Sequence, residues 1–301
     1  MYQLSQTMQT ALAAHNPERC LIEFTHRPDG SAYNPTVQFS NEDIVISEGI
    51  ELNEEFNPET DLKIGLCPSA EITFTLLNEG NSLANFEFGT FKAYLGVRID
   101  TGTPAAGAKT KTFTERGASA LYEFAPLGTF ISGRPDVVMQ KMISVEAHDQ
   151  MTLFDVDMPK RTALNISYPI TVANLAAAMC AYAGVALKTN SWLNSTLSIT
   201  AEPEQFENAT MREVIGWIAE AGCSNARFSR DGTLEFAWFN PVNKTYTEHD
   251  CKEFTPAWYQ TKAVNELHIR NENSTTEFIW PQAGGDNAYL IQNNPILRQA
   301  D

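Results

Sequence analysis

The amino-acid sequence predicts an α+β fold, mainly β, and three observations along the chain predict it. Apolar and polar residues alternate through long stretches of the first half. After residue 163 two segments change to helical spacing behind good capping residues, and near residue 264 alternation returns. Period two marks strands with one buried face, and a spacing of three or four marks helices. The expected order is a β sandwich or barrel over 21–149, a small α+β unit over 164–240 with two short helices, and the start of another β domain over 241–301.

Residues 1–20 open with Leu4, Met8, Ala11 and Leu12 at helical spacing, with Ser5 or Thr7 as caps and a break at His15, Asn16 and Pro17. One short amphipathic helix is expected there. Strands follow. Ile72, Phe74 and Leu76 alternate with Glu71, Thr73 and Thr75; Phe91, Ala93, Leu95, Val97 and Ile99 alternate with Lys92, Tyr94, Gly96, Arg98 and Asp100. Ile143, Val145 and Ala147 alternate in the same way with Ser144, Glu146 and His148, and a Gly-, Thr- and Lys-rich loop is expected over Thr101–Lys111.

The stretch Ile143–Pro159 reads as a structural joint. Its strand must end before the chain enters the next unit, and Asp149 and Gln150 have side chains that hydrogen-bond local backbone at turns and caps. Met151, Leu153 and Phe154 are expected to anchor the linker, 150–163, against the barrel.

Beyond Pro159 the helical period is clear. Thr171 caps a run in which Val172, Leu175, Ala176, Met179, Tyr182 and Ala183 share a face before Gly184. Thr210 and Glu213 form a capping-box pattern ahead of Met211, Val214, Ile215 and Ile218, and Gly222 is placed to end that helix. Ala226–Ser229 and Leu234–Phe239 flank Asp231–Gly232 as a hairpin. Val264, Leu267 and Ile269, a polar turn over Asn271–Thr275, and Phe278 with Trp280 suggest further strands. The last residues, Pro281–Asp301, suit a loop or an extended arm.

Charge and cysteine usage exclude several classes. With 21 Lys and Arg against 37 Asp and Glu the formal charge is -16, which repels nucleic acid over most of the surface. The five cysteines, Cys20, Cys67, Cys180, Cys223 and Cys251, form no CxxC pair, so neither a zinc site nor a disulfide framework is expected. Met1–Asn16 lacks the basic start and apolar run of a secretory signal, and no apolar run is long enough to span a bilayer. Assembly in a reducing cytoplasm is expected.

No catalytic, cofactor-binding or metal-ligating residue is predicted. His148 and Asp149 are adjacent on a strand and point to opposite faces, so neither can orient the other as a triad requires. His15, His26, His249 and His268 lack ligand spacing, and Asp155 with Asp157 lacks the Gly and distant Glu of a calcium loop. The pairs Glu54–Glu55 and Glu202–Glu204 are what an acidic chain produces by abundance. No nucleophile elbow or phosphate loop is present; the Gly-rich segment Ala283–Asp286 precedes no helix pattern. The sequons at Asn165, Asn194, Asn208, Asn243 and Asn273 carry no implication without a signal peptide. Trp217 and Trp238 are expected in the core, whereas Trp192, Trp258 and Trp280 stay open for a sugar-stacking platform.

Six blocks in order carry a resemblance: FSNEDI at 39–44, LKIGLCPSAEITFTL at 62–76, FAPLGTFISGRPD at 124–136, ISVEAHDQMTLFDVDMP at 143–159, YPITVANLAAAMCAYAGVAL at 168–187 and TMREVIGWIAEAGCSNARFSRDGTLEFAW at 210–238. Together they resemble the N-terminal part of bacteriophage and prophage tail-tip, or baseplate, hub proteins. That resemblance covers about residues 1 to 270. It implies two β-barrels flanking a small α/β insertion, and a homotrimer whose barrels form a ring between the tail tube and the tip. It further implies contacts with distal tail, tape-measure and tip-fibre or receptor-binding proteins, and a place in the virion tail tip after assembly in the bacterial host cytoplasm. DNA would pass through without sequence-specific binding, and neither a cofactor nor membrane insertion is implied. A tail-associated protein that binds or degrades cell wall is the alternative.

Overall fold

The computed structural model describes residues 4–45, 49–54, 63–100, 102–133, 135–139, 141–189, 192–238, 266–270, 277–280 and 288–297. Expectations for Glu55, Asn243, His249, Cys251, Trp258, Val264, the turn Asn271–Thr275 and the segment Ala283–Asp286 lie outside the described residues. The fold is α+β and mainly β, as predicted.

Helix α1 spans Gln6–Ala13 and is capped by Ser5, whose hydroxyl accepts from the Met8 amide at 2.9 Å. It buries Met8 and Ala11 against Val97 and Ala125, and it ends where His15 takes a positive φ of 53°. Nine strands then build one antiparallel sheet: β1 (Glu18–His26), β2 (Ala32–Ser40), β3 (Ile50–Asn53), β4 (Glu71–Leu77), β5 (Thr90–Arg98), β6 (Lys109–Glu115), β7 (Ala118–Ser132), β8 (Asp136–Met139) and β9 (Met142–Asp149). Their order is β2-β1-β5-β7-β9-β4-β3, with β6 added to β7 and β8 to β9. The loop expected up to Lys111 therefore ends earlier, where β6 begins.

The sheet curls into a barrel. After β2 the chain turns and crosses to β4, where Ile44 bridges Leu76 and the Val45 amide donates to the Thr75 carbonyl at 2.9 Å. Inward residues of five strands, among them Ile22, Phe24, Ile72, Phe74, Phe91, Phe130 and Val145, make a single core. Three Phe rings, Phe39, Phe86 and Phe88, meet Phe24 edge-on at 5.1–5.9 Å, a favourable geometry for aromatic pairs.

The alternation in β5 predicts one buried face, yet Tyr94 on the opposite face is buried too. The reason is tertiary: Leu21, Tyr94, Tyr122 and Phe124 form a second apolar cluster, with Phe113 of β6 packed against it. Gly96 permits that layer, because a Cβ there would lie 2.4 Å from the Phe124 ring.

The α/β unit has its own core. It contains β10 (Ile170–Thr171), α2 (Val172–Ala183), β11 (Ala186–Leu187), β12 (Ser198–Ile199), α3 (Met211–Ala221), β13 (Asn225–Phe228) and β14 (Thr233–Ala237). Thr171 caps α2 and Gly184 ends it with φ 71°. Thr210 and Glu213 complete both halves of the capping box on α3. Gly222 follows that helix at φ -90°, and the positive φ falls on Cys223 instead. In the turn between β13 and β14 only Gly232 has a positive φ; Asp231 contributes its carboxylate, which accepts from the Thr233 hydroxyl at 2.9 Å.

Strands β15 (Glu266–Arg270), β16 (Glu277–Trp280) and β17 (Ala288–Gln292) form a small sheet in which β15 is central. The arm expected over Pro281–Asp301 is thus partly strand. Beyond it Ile296 is buried in the α/β core, and Asn294 donates to the Trp217 carbonyl at 2.9 Å.

Two substitutions test these local arguments in thermal melts. Gly96→Ala should destabilise the chain by about 1–3 kcal/mol through overpacking against Phe124. Thr210→Ala should remove about 1 kcal/mol by uncapping α3.

Candidate functional site

The junction between barrel and α/β unit is densely bonded, and Asp149 lies at its centre. The residue ends β9, is buried, and caps the short 3₁₀ turn Gln150–Phe154. One carboxylate oxygen accepts from the Ser69 hydroxyl at 2.8 Å and from the Met151 amide at 2.9 Å; the other accepts from the Ala70 amide at 3.1 Å. The Asp149 amide in turn donates to the Ala70 carbonyl at 2.9 Å. Burial raises its pKa above the usual carboxylate range, and the donors from Ala70, Ser69 and Met151, with the charge of Arg212, only partly counter it.

From Ser69 the chain runs back as a strap over the α/β unit. The Gly65 amide donates to the Ser224 carbonyl at 2.8 Å, the Ala226 amide donates to the Leu66 carbonyl at 2.9 Å, and Asn225 Oδ1 accepts from the Leu66 amide at 3.0 Å. Gly65 and Gly216 of α3 allow this contact. A Cβ on Gly65 would meet the Glu220 Cβ at 2.8 Å, and one on Gly216 would meet the Gly65 carbonyl at 2.9 Å.

Other contacts tighten the junction. Asp155 pairs with Arg212 at 2.6 Å, and the exposed pair Glu54–Arg230 spans 2.7 Å. The Met211 amide donates to the Val156 carbonyl at 2.8 Å, and the Met158 amide donates to the Ala209 carbonyl at 2.8 Å. The β13–β14 turn reaches the barrel, since a Cβ on Gly232 would lie 2.9 Å from the Thr129 hydroxyl oxygen.

Two sequence expectations about this stretch are corrected. Met151 and Phe154 do not anchor against the barrel; they are fully buried in the α/β core with α2 and α3, and Leu153 packs on the same cluster. The turn capped by Asp149 carries them across. Gln150 was expected to bond nearby backbone, yet its buried Oε1 has no hydrogen-bond partner.

His148 points away from Asp149, is 43% exposed, and lies 3.7 Å from Glu146. His15 and His26 are exposed, and His268 is in β15. Among the described residues no three His, Cys, Asp or Glu side chains converge in a way that could hold a metal ion, and no helix is long and apolar enough to cross a membrane. Glu202 and Glu204 are exposed. Trp217 stacks on Phe206 at 6.0 Å, and Trp192 stacks on Phe236 at 4.5 Å. Trp238, expected in the core, is 38% exposed because β14 ends at Ala237 and the alternation ends with it.

Sequence patterns missed Ser69, Ala70 and the Gly65–Gly216 contact. A signal was present in Gly216, which interrupts the face of a well-capped helix, since a glycine inside a helix usually has a packing reason.

No family model matches the chain, and no curated protein matches it. Several solved structures align with it, among them two tail proteins. The 43 kDa tail protein of prophage MuSo2 from Shewanella oneidensis is 10% identical over 94% of this chain and 76% of that one, with a TM-score of 0.48. A tail protein from Neisseria meningitidis MC58 is 12% identical over 94% of this chain and 74% of that one, with a TM-score of 0.49.

The junction yields two expected outcomes. Asp149→Ala leaves three donors without their acceptor and should cost about 3 kcal/mol in denaturant unfolding. Because the folded-state pKa is raised, the folded chain holds this proton more tightly than the unfolded chain. Stability from this group should therefore be greatest at acid pH and fall as pH rises through the folded pKa, and that slope should be absent in Asp149→Asn. Gly65→Ala should loosen the strap and speed limited proteolysis between residues 63 and 70, with the far-ultraviolet circular dichroism unchanged.

Proposed function

We propose that this chain is a structural hub protein of a phage tail or tail-like particle, which forms a homotrimer at the tail tip, joins the tube to distal components and surrounds the DNA passage. One observation carries the proposal. The six blocks of the hub resemblance fall on one interlocked framework: the end of β2, the strap with β4, β7, the junction after β9, α2, and α3 with its hairpin. A protein that passes load between neighbours needs its barrel and insertion fixed relative to each other, and the Asp149 junction supplies that restraint. The charge of -16 suits a passage to which DNA must not adhere.

Its role is assembly rather than turnover. Of the three tryptophans open for a sugar-stacking platform in a cell-wall-binding or wall-degrading role, Trp192 is taken up within the α/β unit, stacked on Phe236 at 4.5 Å. Mass measurement of the purified chain and of isolated tails should give a trimer in tails, and host wall suspensions should neither clear nor retain the chain. A monomer in tails, or clearing of the wall, would refute the hub assignment.

A further inference from the structure

Among the described residues, barrel closure leaves a gap beside the start of β1. Strand β1 pairs with β5 from Glu18 onward but with β2 only from Leu21. The Arg98 amide donates to the Pro17 carbonyl at 2.9 Å, so by antiparallel alternation the backbone groups of Arg19 and Leu21 also face β5, and those of Glu18 and Cys20 face the other way. Asn41 Oδ1 takes the Cys20 amide at 2.7 Å. Beyond the end of β2, the amide and carbonyl of Glu18 therefore face an open slot of about 710 Å³, which Val45 and Leu77 also line.

The chemistry of the slot is two-sided. Leu77 is 37% exposed and forms an apolar wall with Val45. Three carboxylates, Glu18, Glu42 and Glu115, stand against one guanidinium lining the slot, Arg19, which is already bonded to Glu42 at 2.8 Å and Glu115 at 3.1 Å. The neighbouring Arg98 pairs with Asp100 at 2.8 Å and lies 3.5 Å from Glu115. Glu18 is exposed and has no ion-pair partner among the described residues.

We propose that this slot docks an extended segment of a partner protein that carries an apolar residue beside a lysine or arginine, added as a short strand against Glu18. The free backbone groups supply strand addition, Leu77 and Val45 receive the apolar side chain, and the acidic rim selects the cation. Charge complementarity argues for a separate partner over a second copy, since a copy brings 37 acidic against 21 basic residues to an acidic rim.

The probe is a fluorescein-labelled octapeptide of alternating lysine and valine, titrated into the full chain at physiological salt beside a glutamate–valine control. The lysine peptide should bind and the control should not, and the Glu18 amide should exchange more slowly in the complex. Glu18→Lys and Leu77→Lys, both at exposed positions, should each weaken binding by about tenfold or more. Glu204→Lys makes the same charge change on an exposed turn of the α/β unit and should leave binding unchanged. Equal weakening by Glu204→Lys would reduce the effect to overall charge and overturn the proposal, as would an unprotected Glu18 amide in the wild-type chain. Self-association abolished by Glu18→Lys would overturn it in favour of a second copy.

Discussion

One buried carboxylate ties together the three segments that meet between the two halves of this chain. Asp149 ends a barrel strand, receives the strap at Ser69 and Ala70, and starts the turn that carries Met151 and Phe154 into the neighbouring core. A buried carboxylate is costly unless its oxygens are occupied, and here three donors from two separate segments occupy them. Removing any of those segments leaves the charge exposed to a low-dielectric surrounding, so the strand end, the strap and the turn hold their places together.

Glycines allow further close approaches between barrel and α/β unit, beside the ion pair of Glu54 with Arg230. Gly65 against Gly216, and Gly232 against Thr129, leave no room for a Cβ. Packing at that distance tolerates little sliding, because interiors are dense and resist small changes in volume. The C-terminal segment adds to this, with Ile296 in the α/β core and the Tyr289 hydroxyl accepting from the Ile64 amide at 3.0 Å.

Charge is arranged with the same economy. The acidic excess sits mainly on the surface, and the buried Glu123 keeps its Oε2 without a hydrogen-bond partner, whereas two other inner carboxylates are paired: Glu235 is bonded to Lys188 and Arg227, and Glu23, half-buried on β1, to Lys109. Both carboxylates are held below the ordinary range, since these cations overcome the burial that would raise them. At the barrel seam the balance differs, because Glu18 has no ion-pair partner among the described residues and its strand edge stands open beyond the end of β2.

The sequence alone determined the class of fold and the kinds of element. Alternation in β4, β5 and β9 and the caps on α2 and α3 were legible because strand faces and helix ends depend on residues near in sequence. It also placed His148 and Asp149 on opposite faces, which follows from strand geometry. What it could not decide were contacts made at long range. The second buried face of β5 depends on β6 and β7 folding over it, and the fate of Met151 and Phe154 depends on which core lies nearer once the Asp149 turn has formed. Trp238 is exposed because tertiary pairing ends β14 one residue before it. The strap, its glycine clearances and the open seam beside Glu18 arise where segments more than twenty residues apart meet, and only the tertiary structure brings them together.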